Sequence, residues 1–467
     1  MANMYQLAVL GGGPGGYVAA IRASQLGLKT VIIEKDNLGG ICLNWGCIPT
    51  KSLLKNAEIY DTMKNHSADF GISVKGLEFD FHSIIKRSRE ISDRIVRNVG
   101  ILVKKNKITH IKGFGKLTSP DKIDIFDPDG NSIDSVTADN IIIATGARHK
   151  DFSSIPVDHK MIITSTEAMN LPEQPAELIV IGAGAIGVEF AYFYAALGTK
   201  VTLIEMMESI LPIEDKEVSL TLEKSFKKRG IDILTNASVQ KAEVQGNKVN
   251  VSVKVNGSVK ELTADKILSA VGVTGNIDGF GLEKLGIELF KNHIKVNKSN
   301  YSTNIKGVFA IGDVIGPPWL AHVASAEAIH CVEKIAGLNP AGINYNNIPG
   351  CTYCQPQVAS IGLTEQKAKE AGYEIKIGKF PFMANGKAFA IGERDGFVKL
   401  IFDAKYDELL GAHIIGSEAT EMISELAMAK SLEATAEAII KTVHAHPTLS
   451  ESVMEAAGVA YNEAIHI

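Results

Sequence analysis

The 467-residue sequence has a net charge of −5, and 45% of its residues are hydrophobic. This length predicts three or four domains with sizeable cores, and the acidic balance argues against a nucleic-acid or anionic-membrane partner. The sequence lacks a basic signal-peptide region and an apolar run long enough to span a bilayer, and five cysteines are too few for a disulfide scaffold. We therefore expect a cytoplasmic protein of the α/β class.

The first predicted unit is a buried strand, a glycine-rich loop, a helix and a second strand that ends in an acid. In chain order these are residues 5–10, 11–16, 17–26, 29–33 and Glu34. Gly11, Gly13 and Gly16 match G-x-G-x-x-G, in which the glycines allow a tight turn, approach of a pyrophosphate, and close helix–strand packing. The helix N-terminus would face the phosphates, and Glu34 would accept hydrogen bonds from a ribose.

A short segment with two cysteines follows this unit directly. Cys42 and Cys47 lie five positions apart, a spacing that can form a redox disulfide, a structural disulfide or two buried thiols. Pro49 is typical of a first helical turn, so Cys47 would lie near a helix N-terminus, where the helix dipole favours a thiolate. Lys51 would add a positive charge on the same face. The position after a nucleotide unit favours the redox interpretation.

The residues between the two cysteines and the second glycine-rich loop predict secondary structure but give weaker signals of function. Residues 81–105 place apolar and basic side chains at helical spacing, and residues 107–126 look like short strands. A buried strand over 140–146 ends at Thr145 and Gly146. This turn by itself is compatible with an ordinary strand end.

The strand–loop–helix–strand–acid design recurs later in the chain. Its loop glycines are Gly182, Gly184 and Gly187, and Glu205 lies 18 residues after the last of them, as Glu34 does in the first copy. Either loop alone could be a glycine-rich turn, but two complete copies predict two dinucleotide sites. The carboxylate of Glu205 would repel a 2′-phosphate, and no arginine follows it in residues 206–209. The second site is therefore expected to prefer NAD to NADP.

The last third of the sequence predicts a mixed sheet with helices on one side, a common dimerisation design. Its strands and helices are expected over residues 348–362, 396–402, 409–415, 418–430 and 435–440. A further buried strand over 307–313 precedes this region and ends at Asp313. That carboxylate can accept a hydrogen bond from a sugar-alcohol hydroxyl or can cap a helix.

A histidine close to the C-terminus is a candidate acid/base. Pro447 could start a helix, which would place Glu451 about one turn further on, within reach of His446. A carboxylate behind a histidine fixes its tautomer and supports proton transfer. The alternative is a solvated His-x-His sequence.

In this order the motifs resemble those of the flavin-dependent disulfide oxidoreductases, over nearly the whole chain. The segments 39–51 and 444–451 resemble, more narrowly, the dihydrolipoamide dehydrogenase members of that family. The resemblance implies that the first unit binds FAD and the second NAD, with the strand before Asp313 returning to the FAD-binding part. It also implies a homodimer that oxidises dihydrolipoamide, carried by a lipoyl-bearing E2 component or glycine-cleavage H-protein, and reduces NAD+ to NADH.

The resemblance assigns roles to individual residues. Cys42 would exchange with the lipoyl sulfur, Cys47 would be the thiolate that faces the flavin, and Lys51 and Glu189 would pair beside the flavin ring. His446, paired with Glu451, would act on the redox segment of the other subunit. The residues implied for FAD are Gly11, Gly13, Gly16, Glu34, Lys51, Gly115, Thr145, Gly146, Asp313, Ala321 and His322. Those implied for NAD are Gly182, Gly184, Gly187, Glu189, Glu205, Val239 and Gly272.

The same resemblance divides the chain into two Rossmann-like dinucleotide-binding domains and an α+β dimerisation domain. The expected ranges are 1–149 for FAD with the redox disulfide, 150–272 for NAD, 273–346 for a central part that completes the FAD site, and 347–467 for dimerisation.

Trp45 and Trp319 are bulkier than is usual in this family, and we expect Trp45 to pack. We interpret Cys351 and Cys354 as structural, because no second pair with zinc-site spacing accompanies them, and Cys331 as a packed thiol on a helix. No metal is expected.

Three other functions agree less well with the sequence. A mercuric reductase needs additional C-terminal cysteines, which residues 463–467 do not supply. A glutathione-type reductase prefers NADPH, which the sequence after Glu205 does not favour. A non-catalytic docking scaffold would not need the complete set of cysteine and histidine motifs. A related disulfide reductase with another disulfide substrate remains the alternative.

Overall fold

The computed structural model describes residues 3–467, through which helices and strands alternate. The helices are α1 Pro14–Gln25, α2 Gly40–Trp45, α3 Cys47–Asp61, α4 Phe81–Lys105, α5 Ser165–Ala168, α6 Ala185–Ala196, α7 Lys216–Lys228, α8 Ala321–Ile335, α9 Glu365–Glu370, α10 Gly386–Ile391, α11 Ala419–Ser431, α12 Ala436–Lys441 and α13 Glu451–Tyr461. Shorter π and 3-10 turns occupy Thr62–His66, Ser67–Phe70, Gly312–Ile315, Tyr345–Asn347 and Phe382–Ala384.

The strands are β1 Asn3–Leu10, β2 Thr30–Glu34, β3 Thr109–Lys112, β4 Phe114–Ser119, β5 Lys122–Phe126, β6 Ser132–Ile143, β7 Ala147–His149, β8 Ile162–Ile163, β9 Glu177–Ile181, β10 Lys200–Ile204, β11 Asp232–Leu234, β12 Ala237–Gln245, β13 Lys248–Val255, β14 Ser258–Ala264, β15 Lys266–Ser269, β16 Val273–Gly275, β17 Leu289–Phe290, β18 His293–Ile294, β19 Val308–Ala310, β20 Gly350–Thr352, β21 Gln357–Gly362, β22 Ile375–Pro381, β23 Phe397–Asp403 and β24 Leu409–Gly416.

The first sheet has the strand order β3-β2-β1-β6-β5-β4, and β19 also pairs with β6. Strands β3, β2, β1, β6 and β19 run parallel, whereas β5 pairs antiparallel with β6 and β4 pairs antiparallel with β5. Strand β2 contains a continuous apolar run, as expected of a parallel strand that is covered on both faces, and its residues Val31, Ile32 and Ile33 are fully buried. Val308 pairs with Ile141, which confirms that the strand before Asp313 returns to the first nucleotide unit.

The second nucleotide unit is built on the parallel order β11-β10-β9-β15-β8. The predicted β–α–β repeat is therefore confirmed, with β9, α6 and β10 corresponding to β1, α1 and β2. An antiparallel sheet of β12, β13 and β14 was not predicted separately. Its signal is present in β13, where buried and less buried side chains alternate with the period of two that a half-buried strand requires.

The C-terminal sheet, β20-β21-β24-β23-β22, is antiparallel throughout, so the prediction of a mixed sheet was wrong. Helices were expected on one side only, yet every residue of β23 and β24 is buried. The face of β23 away from the apolar core carries Lys399, which is 1% exposed. Its ammonium group contacts Asp215 at 3.0 Å, Glu217 at 2.8 Å and Glu365 at 2.7 Å, and these carboxylates compensate the buried charge.

The chain forms two compact units. The first contains the chain up to Ser52 together with Ile85–Lys150 and Gly272–Ile343, and the second contains Leu53–Ile84, Asp151–Val271 and Asn344–Ile467. The finer division into four domains stays a prediction. Among residues 3–467, no helix combines the length and the apolar character that crossing a membrane requires.

Candidate active site

The first glycine-rich loop joins β1 to α1 through backbone conformations that require glycine. Gly11 has a φ of +108°, and a Cβ there would overlap the carbonyl oxygen of Ala144. A Cβ on Gly16 would overlap the carbonyl oxygen of Gly11, so the third glycine lets α1 lie directly against the turn. Gly13 precedes α1 in an extended conformation, and no side chain caps the helix. The first amides of α1 can therefore bind an anion.

Glu34, at the end of β2, is held by the backbone through both of its carboxylate oxygens. Oε2 accepts from the amide of Gly12 at 2.6 Å, and Oε1 accepts from the amide of Asp36 at 2.8 Å. A carboxylate has about four lone-pair sites, so it can still accept hydrogen bonds from a ribose. Glu34 lines a crevice at the carboxyl ends of the parallel strands, where open α/β sheets bind ligands. Also lining it are Gly11, Gly115, Thr145 and Phe114.

The second glycine-rich loop reproduces the first. Gly182 has a φ of +98°, and a Cβ on Gly187 would overlap the carbonyl oxygen of Gly182. Glu205 Oε2 accepts from the amide of Ala183 at 2.7 Å, and Oε1 accepts from the amide of Met207 at 2.9 Å. The structure thus brings together the glycines and the acid of the second motif in the arrangement found at Glu34. Apart from Gly184 and its two chain neighbours, residues 3–467 place no atom within 4 Å of the position of a Cβ on Gly184, which leaves room for a pyrophosphate.

Two alanine substitutions in this loop separate ligand binding from stability. Gly184→Ala introduces a methyl group into the open space, so we expect the Kd for NAD+ to rise about 10-fold or more with an unchanged melting temperature. Gly187→Ala places the methyl group against a carbonyl oxygen, and we expect a loss of about 1–3 kcal/mol of unfolding free energy. NAD+ titration and thermal unfolding measure the two effects. Equal losses of stability in both variants would contradict this interpretation.

Thr145, at the end of β6, is fixed by a residue that the sequence analysis missed. Its hydroxyl donates to the carbonyl oxygen of Asn276 at 2.7 Å, and the Asn276 side-chain amide donates to the carbonyl oxygen of Thr145 at 2.9 Å. Gly146 follows with a φ of +72°. The two partners are 131 positions apart, and no local pattern in the sequence links them.

Asp313 lies in the 3-10 turn after β19 and is half-buried. Burial, with a contribution from the charge of Glu327, raises the pKa of Asp313 to about 6. Glu327 is 2% exposed, accepts from the Gly312 amide at 2.7 Å and pairs with Lys298 at 3.5 Å. A hydroxyl-bearing ligand would compensate a buried carboxylate by hydrogen bonding to it. Glu327 was also missed, although a glutamate within the mainly apolar helix α8 is a detectable signal.

The other residues implied for the cofactors lie at strand ends and helix starts. Ala321 and His322 form the first turn of α8, and His322 is exposed. Val239 is half-buried on β12, and Gly272 follows β15 with a φ of +107°. Their contacts with FAD or NAD stay predictions.

The two cysteines lie on consecutive helices. Cys42 is on the short helix α2, which ends before Gly46 and was not predicted from the sequence. Helix α3 begins at Cys47, which confirms the predicted position of this cysteine at a helix N-terminus and places Pro49 in the first turn. The carbonyl oxygen of Gly46 accepts from the amide of Thr50 at 3.0 Å and from its hydroxyl at 2.7 Å, which fixes the start of α3. The positive end of the helix dipole therefore lies at Cys47.

The two sulfurs interact as a thiol pair. Cys42 and Cys47 are both half-buried and present as thiols. The pKa of Cys42 is raised far above that of an ordinary thiol, first by a hydrogen bond with Cys47, then by burial and by the charge of Cys47. The positive charge of Lys51 acts in the opposite direction. The Cys42 thiol therefore keeps its proton at neutral pH, and Cys47 lies where a helix N-terminus would stabilise a thiolate.

Helix α4 supports the redox segment. The Arg89 guanidinium lies 4.3 Å from the centre of the Trp45 ring, a cation–π distance, so Trp45 packs as expected. The hydroxyl of Ser92 donates to the carbonyl oxygen of Leu43 on α2. Neither contact was predicted, because the partners are far apart in the sequence: Ser92 lies 49 positions after Leu43.

His446 and Glu451 form the predicted pair. His446 Nδ1 lies 2.9 Å from Glu451 Oε1, and the imidazole is 78% exposed. The expected helix start at Pro447 was wrong, since α13 begins at Glu451. Glu451, in the first turn, instead reaches back to the amide of Thr448 at 2.8 Å. Although burial acts in the opposite direction, hydrogen bonds from Thr448 and His446 hold the pKa of Glu451 below its usual value.

Glu189 lies on α6 and is 4% exposed. Its Oε1 accepts from the amide of Tyr353 at 3.0 Å, a contact that sequence alone did not suggest. Lys51 belongs to the other unit, and its pairing with Glu189 stays a prediction.

The remaining cysteines do not form a metal site. Within residues 3–467, no cluster of three or more His, Cys, Asp or Glu side chains has an arrangement suited to a metal ion. The buried Cys354 thiol donates to the carbonyl oxygen of Pro356 at 3.2 Å, and Cys351 lies on β20. Cys331 is fully buried on α8, which confirms the expected packed thiol.

Comparison with family models defines the class of protein. Residues 5–328 match the model described as pyridine nucleotide-disulphide oxidoreductase, and residues 348–457 match the dimerisation domain of the same family. The chain belongs to the pyridine nucleotide-disulphide oxidoreductases, which confirms the predicted fold class and its FAD and NAD cofactors. The dimerisation domain supports a homodimer.

Curated relatives narrow the assignment. The chain is 48% identical over 482 residues to a protein from Rhizobium etli and 48% identical over 468 residues to one from Zymomonas mobilis. A Bacillus subtilis relative is 43% identical over 478 residues, and each of these three alignments covers all of both chains. All three relatives are named dihydrolipoyl dehydrogenase. Within the larger family, the chain therefore belongs to the dihydrolipoyl dehydrogenases, as the motifs predicted.

Solved structures give the same fold at lower identity. The crystal structure of LpdA from Mycobacterium tuberculosis matches with a TM-score of 0.89 and 26% identity, covering 97% of this chain and 98% of the other. The Cu(II) complex of the HOCl-induced flavoprotein disulfide reductase RclA from Escherichia coli matches with a TM-score of 0.88 and 26% identity, covering 98% and 99%.

Proposed function

We propose that this chain oxidises dihydrolipoamide to lipoamide and reduces NAD+ to NADH, with Cys42 and Cys47 as the redox pair and His446 with Glu451 as the acid/base. The observation that carries the proposal is the Cys42–Cys47 thiol pair, in which a hydrogen bond joins the two side chains and Cys47 begins helix α3. The full-length relatives named dihydrolipoyl dehydrogenase support it.

Substrate oxidation follows from thiol–disulfide exchange, with the enzyme pair starting as a disulfide. His446 removes a proton from one substrate thiol, and the thiolate attacks Cys42. The Cys42–Cys47 bond breaks, and Cys47 leaves as a thiolate that the helix dipole stabilises. The second substrate thiol then closes the lipoyl disulfide and releases Cys42 as a thiol. The substrate has lost two electrons and two protons, and the enzyme pair has gained the two electrons.

The geometry of the two nucleotide loops accommodates dinucleotides, because each combines a helix N-terminus, a glycine-formed cradle and a fixed carboxylate. The residues around Glu34, together with Asp313, would hold FAD, and those around Glu205 would hold NAD. The bound cofactors supply the chemistry that reoxidises the dithiol and carries the electron pair to NAD+ as a hydride. The chain contributes charge and placement: Glu205 disfavours a 2′-phosphate, and the exposed Met206 and Met207 offer no compensating cation.

The proposal includes a shared active site and a protein partner. His446 would act on the redox segment of the other subunit, for which its 78% exposure leaves it accessible. The dithiol substrate would be a lipoyl group on an E2 component or an H-protein, in the cytoplasm. Mixing a Cys47→Ser subunit with a His446→Gln subunit tests the sharing, because each heterodimer would regain one intact site.

Anaerobic titration of the flavin-loaded protein with dihydrolipoamide, followed by NAD+, tests the function. We expect a long-wavelength absorption band on reduction and then NADH formation. Reduction by NADH but not by dihydrolipoamide would contradict the proposal and would indicate a related reductase with a different disulfide substrate.

A further inference from the structure

The segment that follows Glu205 is fixed against the second glycine-rich loop. Residues 206–214 connect this acid to the N-cap residue of α7, and Leu211 lies within them. The amide of Leu211 donates to the carbonyl oxygen of Ala183 at 2.8 Å, while the amide of Ala183 donates to Glu205 Oε2 at 2.7 Å. Ala183 therefore links Leu211 to the carboxylate that is proposed to receive the NAD ribose.

Leu211 has an unfavourable backbone conformation. Its φ of +44° lies in the left-handed region, where the Cβ of a residue other than glycine is crowded. Its carbonyl oxygen accepts from the amide of Glu214 at 3.0 Å and from the hydroxyl of Ser219 at 3.1 Å, and both Leu211 and Ser219 are buried. Such a conformation persists only where the surrounding structure holds it. The Ser219 hydroxyl is thus one of the groups that fix the segment.

Ser219 is held in place through the start of α7. Its amide donates to the carbonyl oxygen of Asp215 at 3.1 Å, and Asp215 Oδ1 accepts from the amide of Glu217 at 3.1 Å. The buried Lys399 ammonium group contacts both carboxylate oxygens of Asp215, at 3.0 Å and 3.2 Å. A continuous series of hydrogen-bonded residues therefore runs from Lys399 on β23 to Glu205, and all of them belong to the second compact unit.

We propose that Ser219 is a positioning residue of the NAD+ site. By holding Leu211, it keeps the Ala183 amide directed at Glu205, and Lys399 anchors this arrangement to the C-terminal sheet. Without the Ser219 hydroxyl, the segment is displaced in part of the molecules, and the affinity for NAD+ falls with the fraction that remains competent. This inference rests on the proposed function, in which Glu205 receives the NAD ribose.

The test is calorimetric titration of the flavin-loaded Ser219→Ala variant with NAD+. We expect the Kd for NAD+ to rise about 2- to 10-fold, the range that corresponds to the net contribution of one hydrogen bond. The melting temperature and the flavin content should change little, because the Leu211 carbonyl oxygen keeps its hydrogen bond from the Glu214 amide. A purely structural role for Ser219 would instead lower the melting temperature and leave the Kd unchanged.

Thr221 supplies a matched control on the same helix. Its hydroxyl donates to the carbonyl oxygen of Glu217 at 2.7 Å, so it also binds a backbone carbonyl, but one that lies within α7. Thr221→Val should leave the Kd for NAD+ unchanged. An unchanged Kd in Ser219→Ala, or an equal rise in Thr221→Val, would overturn the inference.

Asp215→Asn tests the anchor. The asparagine oxygen can still cap α7, but the negative charge that faces Lys399 is lost, and the Kd for NAD+ should again rise. If both residues act through the same segment, the Kd of the double variant with Ser219→Ala should rise by less than the product of the two single increases. A rise equal to that product would overturn the anchoring role of Lys399. Failure of the wild-type protein to bind NAD+ would instead overturn the proposed function.

Discussion

Replacing Cys47 with serine is expected to lower dihydrolipoamide-dependent NADH formation by about 10³-fold or more, because a hydroxyl cannot form the exchangeable bond with Cys42. The glycine loop at Gly11 and the carboxylate of Glu34 are untouched, so FAD should remain bound. Steady-state NADH formation measures the first effect, and the flavin-to-protein absorbance ratio measures the second.

Cys351→Ser is the matched control, since it changes a half-buried cysteine on β20 that takes no part in the proposed exchange. Its turnover should stay close to that of the wild type. Undiminished turnover in Cys47→Ser would contradict the assigned redox pair.

His446→Gln is expected to reduce dihydrolipoamide oxidation by about 10²–10⁴-fold, the usual contribution of a general base. Glu451→Gln should cause a smaller loss, because the imidazole remains but its tautomer is no longer fixed by a carboxylate. Both are measured as kcat/KM for dihydrolipoamide.

Oxidation of NADH by a small artificial electron acceptor provides the internal control. That reaction needs no proton transfer from a substrate thiol, so both variants should retain it. A parallel loss of the two activities would show that the substitutions damage the fold or flavin binding rather than the acid/base step.

The sequence predicted the structure best where a feature is formed by residues that are close together in the chain. The glycine spacings and the acids Glu34 and Glu205 were identified because each nucleotide loop is a local structure, and helix α4 has the bounds that its periodicity predicted. The position of Cys47 at the N-terminus of α3 also followed from a local signal, Pro49 in the first turn.

Contacts between residues that are far apart in the sequence could not be predicted from such local patterns. Asn276 contacts Thr145 from a distant strand end, and Tyr353 contacts Glu189 across 164 positions. The antiparallel order of the C-terminal sheet depends on which strands meet, and strand composition does not specify that. The helix start expected at Pro447 failed because the Thr448 amide binds Glu451 ahead of the helix.

The backbone hydrogen bonds at Glu205 have a consequence for the energetics of nucleotide binding. Both carboxylate oxygens of Glu205 accept hydrogen bonds from backbone amides, and the residue is only 8% exposed. The side chain is therefore already held in one conformation in the folded protein. Immobilising a flexible side chain on binding opposes association by about 0.5–1.5 kcal/mol. The Glu205 side chain is immobilised when the protein folds, so this cost does not reduce the affinity for the ligand. In the proposed site NAD+ would therefore meet a rigid receptor for its ribose, and affinity at this position should depend little on induced fit.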